Sequence, residues 1–311
     1  MEFTQAVDSL FESQLNDWEL ARANIEGLQN VRVKPLAFEG FEILLQFNPE
    51  RIISSSAKVD PQSISARPCF LCENNRPPEQ QGIRYRDNFI LLVNPYPVFP
   101  GHLTIPTLQH EPQRILSKFI RMLEIARDLP QYTIIYNGPQ CGASAPDHFH
   151  FQAVRKGHMP VEADFLMNIK CVFNYEKHGI GIYTWDNYLR RMITLRGQSI
   201  SKLESLFNTI YALLTHVIPS DGEPMMNILA GYNQDHFVIH LIPRKLHRPD
   251  RYFAQGERQL LLSPASIDLG GVLIIPREED FLKITTDDIS DIFQQVGVDN
   301  ELIQYLVHKL T

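Results

Sequence analysis

Residues 146–152 read PDHFHFQ, with phenylalanine alternating against His148, His150 and Gln152. On a β-strand successive side chains point to opposite faces. The two imidazoles and the amide then share one face, while Phe149 and Phe151 lock the other into a core. A purely structural His-His-Gln face would need several hydrogen-bond partners to offset its burial. The pattern therefore points to chemistry. A neutral imidazole is a good nucleophile near pH 7. Attack on phosphorus gives a reactive phosphoramidate, so one hard transfer becomes two easier ones. A neighbouring amide N–H can hold phosphate oxygens as charge builds on them.

On either side of this strand the pattern predicts an α+β protein built on antiparallel sheet with helices. Phe3, Val7, Leu10, Phe11, Leu15, Trp18, Leu20 and Ala21 have the spacing of an amphipathic helix over 3–27. Strands are expected at 30–38, 41–47, 88–94, 103–107 and 132–138, and again near 168–174, 179–185, 190–196, 225–232 and 236–244. Further expectations are helices over 112–128 and 199–217, a loop at 54–68, short strands at 258–262 and 271–275, and helical material from 286. DHFHFQAVRK (147–156) is echoed by DHFVIHLIPRK (235–245), each after a strand of similar type. Matched from the aspartates, Val238 stands where His150 does. The chain then reads as two similar half-domains, 1–165 carrying the active strand and 166–311 a degenerate second copy.

The chain has 311 residues, 44% of them hydrophobic, enough for a sizeable core. A net charge of −7 argues against a nucleic-acid surface held by bulk electrostatics. No apolar run approaches a bilayer span, and the start MEFTQAVDSLFESQ does not read as a signal peptide. Four cysteines are too few for a disulfide scaffold of this length, so the expected setting is the reducing cytoplasm. Cys69 and Cys72 form a C-x-x-C turn that can hold two corners of a Zn²⁺ tetrahedron. A reduced pair or a redox pair remains open on spacing alone.

DHFHFQ resembles the His-x-His-x-Gln strand of the galactose-1-phosphate uridylyltransferase branch of the histidine-triad superfamily. The resemblance implies that His150 is the nucleophile that becomes nucleotidylated, and that Gln152, where hydrolases of the superfamily carry a third His, favours transfer. YNGPQCGASAP is similar to the family's phosphate loop, which implies nucleotide or phosphate contacts from Asn137, Gly142 and Ser144. Asp147 is one residue more than the family pattern has before the first His. FNPERI resembles a stretch near the nucleotide and adds Arg51. HFQAVRKGHMPVEADF and LLLSPASIDLGGVLIIPREEDF are similar to segments of the GDP-hexose phosphorylases, which split GDP-L-galactose or GDP-D-glucose with phosphate. The uridylyltransferases carry a nearly identical CFLC turn. From it the resemblance implies a structural Zn²⁺ on Cys69, Cys72, His110 and His148.

Glu162 is a candidate for sugar hydroxyls or a second metal, and His240, Arg244 and Lys245 for substrate or phosphate, each against a bland structural or surface reading. His178 and His247 are left unassigned. The expected function is a nucleotidyltransferase or phosphorylase acting on a nucleoside diphosphate sugar, with GDP-hexose preferred and phosphate or a sugar phosphate as acceptor. The alternatives are an Ap4A-type phosphorylase, a hexose-1-phosphate uridylyltransferase, a non-catalytic nucleotide-binding protein and a zinc-stabilised interaction module. A homodimer is expected by analogy with family relatives.

Overall fold

The computed structural model describes residues 2–49, 61–218, 220 and 222–310. The expected N-terminal helix forms as two, α1 (Glu2–Asp17) and α2 (Glu19–Gly27), because Trp18 between them is extended and buried. The strands are β1 (Arg32–Phe38), β2 (Phe41–Phe47), β3 (Gly82–Tyr85), β4 (Phe89–Val93), β5 (Leu103–Pro106), β6 (Tyr132–Asn137) and β7 (His150–Arg155), then β8 (Cys171–Lys177), β9 (Ile180–Trp185), β10 (Ile193–Gly197), β11 (Met226–Asn233), β12 (His236–Pro243) and β13 (Val272–Ile275). The remaining longer helices are α3 (Phe119–Asp128), α4 (Pro160–Leu166), α5 (Ile200–Val217), α6 (Glu278–Lys283), α7 (Thr286–Val296) and α8 (Asn300–Leu310).

Ten strands form one antiparallel sheet in the order β3-β4-β5-β7-β6-β11-β12-β10-β9-β8. Read inward from either edge, the order is the same. Three strands follow in sequence, then the fifth, then the fourth, with one helix (α3 or α5) before the fourth. Register makes the match specific. Gln152 faces Thr104 on β5 and Ile135 on β6. His240 faces Thr194 on β10 and Leu229 on β11, and Ile135 and Leu229 face each other. Gln152 and His240 are thus equivalent, and two residues back so are His150 and Val238. The two five-strand sets differ most in one connection. Residues 138–149 join β6 to β7, whereas only Gln234 and Asp235, both at positive φ, join β11 to β12.

Both faces of the sheet are covered. Phe149, Phe151, Phe237, Ile239 and Leu241 pack under α1, α3, α5 and α8. The opposite face carries α4, α6, α7 and a small sheet β1-β2-β13, in which β13 runs parallel to β2. Among the described residues no helix is long and apolar enough to cross a membrane.

Four local expectations change. The helix expected from 112 starts at Phe119, because the preceding segment is tied down irregularly, with the Gln113 N–H donating to Pro146 O. Residues 258–262 are not a strand; Leu260 and Leu262 are apolar because they are buried. Within 54–68, Pro61–Ser65 is a short helix, and 51–60 lie outside the described residues. The histidine strand begins at His150, so His148 sits in the bend before it.

Candidate active site

A cavity of about 650 Å³ opens between the large sheet, at Thr104 and Gln152, and β13, at Ile274. His150, Gln152, Asn137, Gly142 and Ser144 all line it. Sequence distance is no obstacle here. The long β6–β7 connection folds back over the end of β7 and brings its small residues to the histidine.

His150 is 3% exposed, and its Nδ1 lies 2.9 Å from the carbonyl of His148. A carbonyl only accepts, so the proton is on Nδ1 and the Nε2 lone pair is free. Burial pushes the imidazole down to about 4, so it is neutral at physiological pH. Gln152 is held by a residue that sequence reasoning passed over. The Val98 N–H donates to His102 Nδ1 at 3.1 Å, which leaves the His102 proton on Nε2, 3.0 Å from Gln152 Oε1. With its oxygen occupied, the Gln152 amide turns its N–H₂ end elsewhere. Asn137 follows the same logic. Its Oδ1 accepts from Asn227 Nδ2 and from the Ser266 N–H, each at 2.9 Å, leaving Nδ2 to donate. Two amides with anchored oxygens therefore offer donors to a cavity that also holds a neutral imidazole. Gly142 lets the loop approach closely. Its φ is +96°, and a Cβ there would lie 2.5 Å from Ala265 Cβ.

Beside the cavity, the ligand atoms of Cys69, Cys72, His110 and His148 all lie within 4.8 Å of one another. His148 Nδ1 is 3.2 Å from Cys69 Sγ and 3.5 Å from Cys72 Sγ, and His110 Nδ1 is 3.3 Å from Cys72 Sγ. His148 Nε2 donates to Thr107 O at 2.8 Å, and Asp147 Oδ2 stands 3.8 Å from His110 Nε2. These outer partners keep protons off the inward nitrogens, as metal-ligating histidines require. Burial, and then the neighbouring Cys69, push the Cys72 thiol up to about 11. A divalent cation at the centre would reverse that. The four groups can hold a metal ion. This also corrects the one-face reading of the strand, since His148 turns toward the cysteines while His150 and Gln152 face the cavity.

Three candidates lie elsewhere. Glu162 accepts from Thr133 Oγ1 and, at 2.7 Å, from the Gly157 N–H, tying a loop to β6. His240 accepts from Thr194 Oγ1 at 2.8 Å and packs on Phe165 and Trp185. Its place in the second half is filled by core. Arg244 is fully buried and gives its N–H groups to Asn227 Oδ1 and to the carbonyls of Pro264, Val296, Leu246 and His247. It braces Asn227 and has no donor left for a phosphate. Lys245 is exposed. Arg51 lies outside the described residues. Two basic residues that reach the cavity instead are Arg67 and Arg248. His102, Asn227 and Ser266 all fall within segments whose pattern was noted, but no spacing rule marks them as anchors.

A family model described as a domain of unknown function (DUF4922) matches residues 10–155, and one described as GDPGP1-like, C-terminal domain, matches residues 164–310. The second half of the chain thus matches a GDPGP1-like domain, which supports a place near the GDP-hexose phosphorylases, in the galactose-1-phosphate uridylyltransferase-like branch of the histidine-triad superfamily. Yeast Ap4A phosphorylase Apa2 in complex with AMP shares this histidine-triad fold at 18% identity and a TM-score of 0.55, over 92% of this chain and 96% of that one. The same enzyme in complex with Ap4A gives 17%, 0.56, 91% and 97%. A galt-like protein from Arabidopsis thaliana aligns at 13% identity and a TM-score of 0.33 over 86% of this chain and 99% of that one. No curated protein matches the chain.

Proposed function

We propose that this histidine-triad protein is a phosphorylase-type nucleotidyltransferase whose substrate is a nucleoside diphosphate sugar, a GDP-hexose first of all. The carrying observation is His150, a buried neutral imidazole whose Nδ1–H donates to a carbonyl and whose Nε2 is left unprotonated beside the cavity. Nε2 attacks the α-phosphorus. The N–P bond forms as the bond from phosphorus to the bridging oxygen breaks, and the sugar phosphate leaves with that electron pair. An oxygen of inorganic phosphate, or of a second sugar phosphate, then attacks the same phosphorus and the N–P bond breaks back to Nε2. With phosphate the products are a nucleoside diphosphate and a hexose 1-phosphate. The Nδ1–H bond to His148 O stabilises the imidazolium present in the intermediate. Gln152 and Asn137 donate to the phosphoryl oxygens, and Arg67 and Arg248 supply positive charge for the acceptor.

The GDP-hexose reading is supported by the sequence resemblance and the GDPGP1-like match over residues 164–310. A dinucleoside polyphosphate as substrate is the second reading, favoured by the fold shared with Apa2 over 92% of the chain. Zn²⁺ is the ion we assign to Cys69, Cys72, His110 and His148. Bond lengths of 2.0–2.3 Å give a tetrahedral S···N edge of about 3.6 Å, close to the 3.2–3.5 Å observed. It would fix the bend that feeds His150 into the sheet. The four free thiols suit a reducing, cytoplasmic setting. The matching strand orders support two half-domains of common origin that divide in the segment between β7 and β8, with one active site between them.

The test uses nucleotides labelled at the α-phosphate. GDP-, UDP- and ADP-sugars and Ap4A are each incubated without acceptor, then with phosphate. An acid-labile, base-stable adduct on His150, discharged by phosphate and absent from His150→Ala, is expected. Near wild-type turnover in His150→Ala would refute the covalent route.

A further inference from the structure

The pairing of β6 with β7 stops two residues short of the end of β6. Ile135 faces Gln152, and in register Tyr136 with Phe151 and then Asn137 with His150 would follow. Those pairs do not form. The carboxamide of Gln113, fully buried, stands between the two strands. Its Nε2 donates to Asn137 O at 3.0 Å and to His150 O at 2.9 Å, while its Oε1 accepts from the His150 N–H at 2.8 Å. A primary amide has one acceptor oxygen and two N–H donors, and all are used. The side chain does what a facing peptide would do in an antiparallel ladder, answering both the N–H and the C=O of His150.

Gln113 is itself fixed. Its N–H donates to Pro146 O, its carbonyl accepts from Tyr136 Oη at 3.3 Å, and two residues on, the Ile115 N–H donates to Glu223 Oε2 at 2.7 Å. The insert therefore has a defined width and is held from three sides.

We infer that Gln113 is a positioning residue, a surrogate peptide that sets the spacing between the nucleophile His150 and the phosphate-holding Asn137 so that both address one phosphoryl group. The roles of those two residues rest on the function proposed above. Without the insert the strands would close to ordinary ladder distance and shift His150 relative to Asn137. Misplacement on the order of 1 Å costs roughly a hundred-fold in rate.

The test uses Gln113→Met, which keeps length and removes all three bonds, and Gln113→Glu, which keeps the shape and loses both donors when ionised. Wild-type labelling of His150 is measured first; its failure overturns the proposed function and not the clamp. With labelling established, single-turnover nucleotidylation should slow by about ten- to a hundred-fold in Gln113→Met. Equilibrium binding of the nucleoside monophosphate should stay within about threefold, because the binding groups remain. Amide exchange at His150 should accelerate in both variants. A folded Gln113→Met or Gln113→Glu that labels His150 within twofold of wild type overturns the inference. Should neither variant fold, NMR of the wild type decides. A side-chain amide of Gln113 protected from exchange is expected, and a freely exchanging one overturns it.

Discussion

Glu223 is 5% exposed, and it takes hydrogen bonds from Tyr136 Oη and the Ile115 N–H. Burial raises its carboxyl from the ordinary 4.5 to about 7, against the opposing pull of those two donors and of Arg114. A carboxyl whose folded pKa lies above its unfolded value keeps its proton longer in the folded state. The folded protein then binds more protons between those two values, and stability falls as pH rises. This contribution is fully present below about pH 4.5 and is lost as pH rises through about 7. That difference corresponds at most to about 3 kcal/mol, most of which falls between pH 5 and pH 8. Glu223→Gln cannot titrate and keeps the side chain's size. The stability of the variant relative to wild type should therefore move in the variant's favour by about 2–3 kcal/mol between pH 5 and pH 8. Urea unfolding of both proteins across that range measures it. Protons taken up by the cysteine and histidine cluster on unfolding are common to both and cancel. A difference that stays constant within about 0.5 kcal/mol, the usual scatter for independent effects, would refute the argument that burial dominates this carboxyl.

Gly142→Ala places a Cβ 2.5 Å from Ala265 Cβ at a φ of +96°, and should cost about 2–4 kcal/mol. Adding Ala265→Gly should recover the clash and leave the φ strain, giving a coupling of at least about 1 kcal/mol in a denaturation cycle; no coupling would remove the contact from the account. His102→Phe frees the Gln152 amide to rotate, and kcat/KM should fall roughly tenfold. The same change in a Gln152→Ala background should then cost almost nothing, and an equal loss there would show that His102 acts by another route. Elemental analysis should find about one Zn²⁺ per chain. Cys69→Ser should lower both zinc content and melting temperature while leaving the preference among nucleotide sugars unchanged, and a metal-free protein of full stability would sink the zinc assignment.

Much of this site is legible from residue order because strand chemistry has a short period. The alternation in DHFHFQ fixes which side chains of β7 face the core, and Phe149 and Phe151 are there. The C-x-x-C turn and the echo near 235–245 are equally local, and the echo lands on the topologically matching strand. Residue order could not say which polar groups of the right type are used for chemistry and which for architecture. Glu162, His240 and Arg244 have suitable functional groups, yet each is bonded to internal partners away from the cavity. Nor could it reveal the anchors. His102 reaches Gln152 across 50 residues, Gln113 reaches His150 across 37, and Ser266 reaches Asn137 across 129. No periodicity links such positions. They meet because the sheet brings β5, β6 and β7 side by side, and because β13 pairs with β2 and carries the segment around Ser266 over the loop. The sequence holds His150 and the cysteines and histidines beside it that can hold a metal ion; the proton on His150 Nδ1, the direction of each amide and the gap filled by Gln113 exist only once those strands are in place.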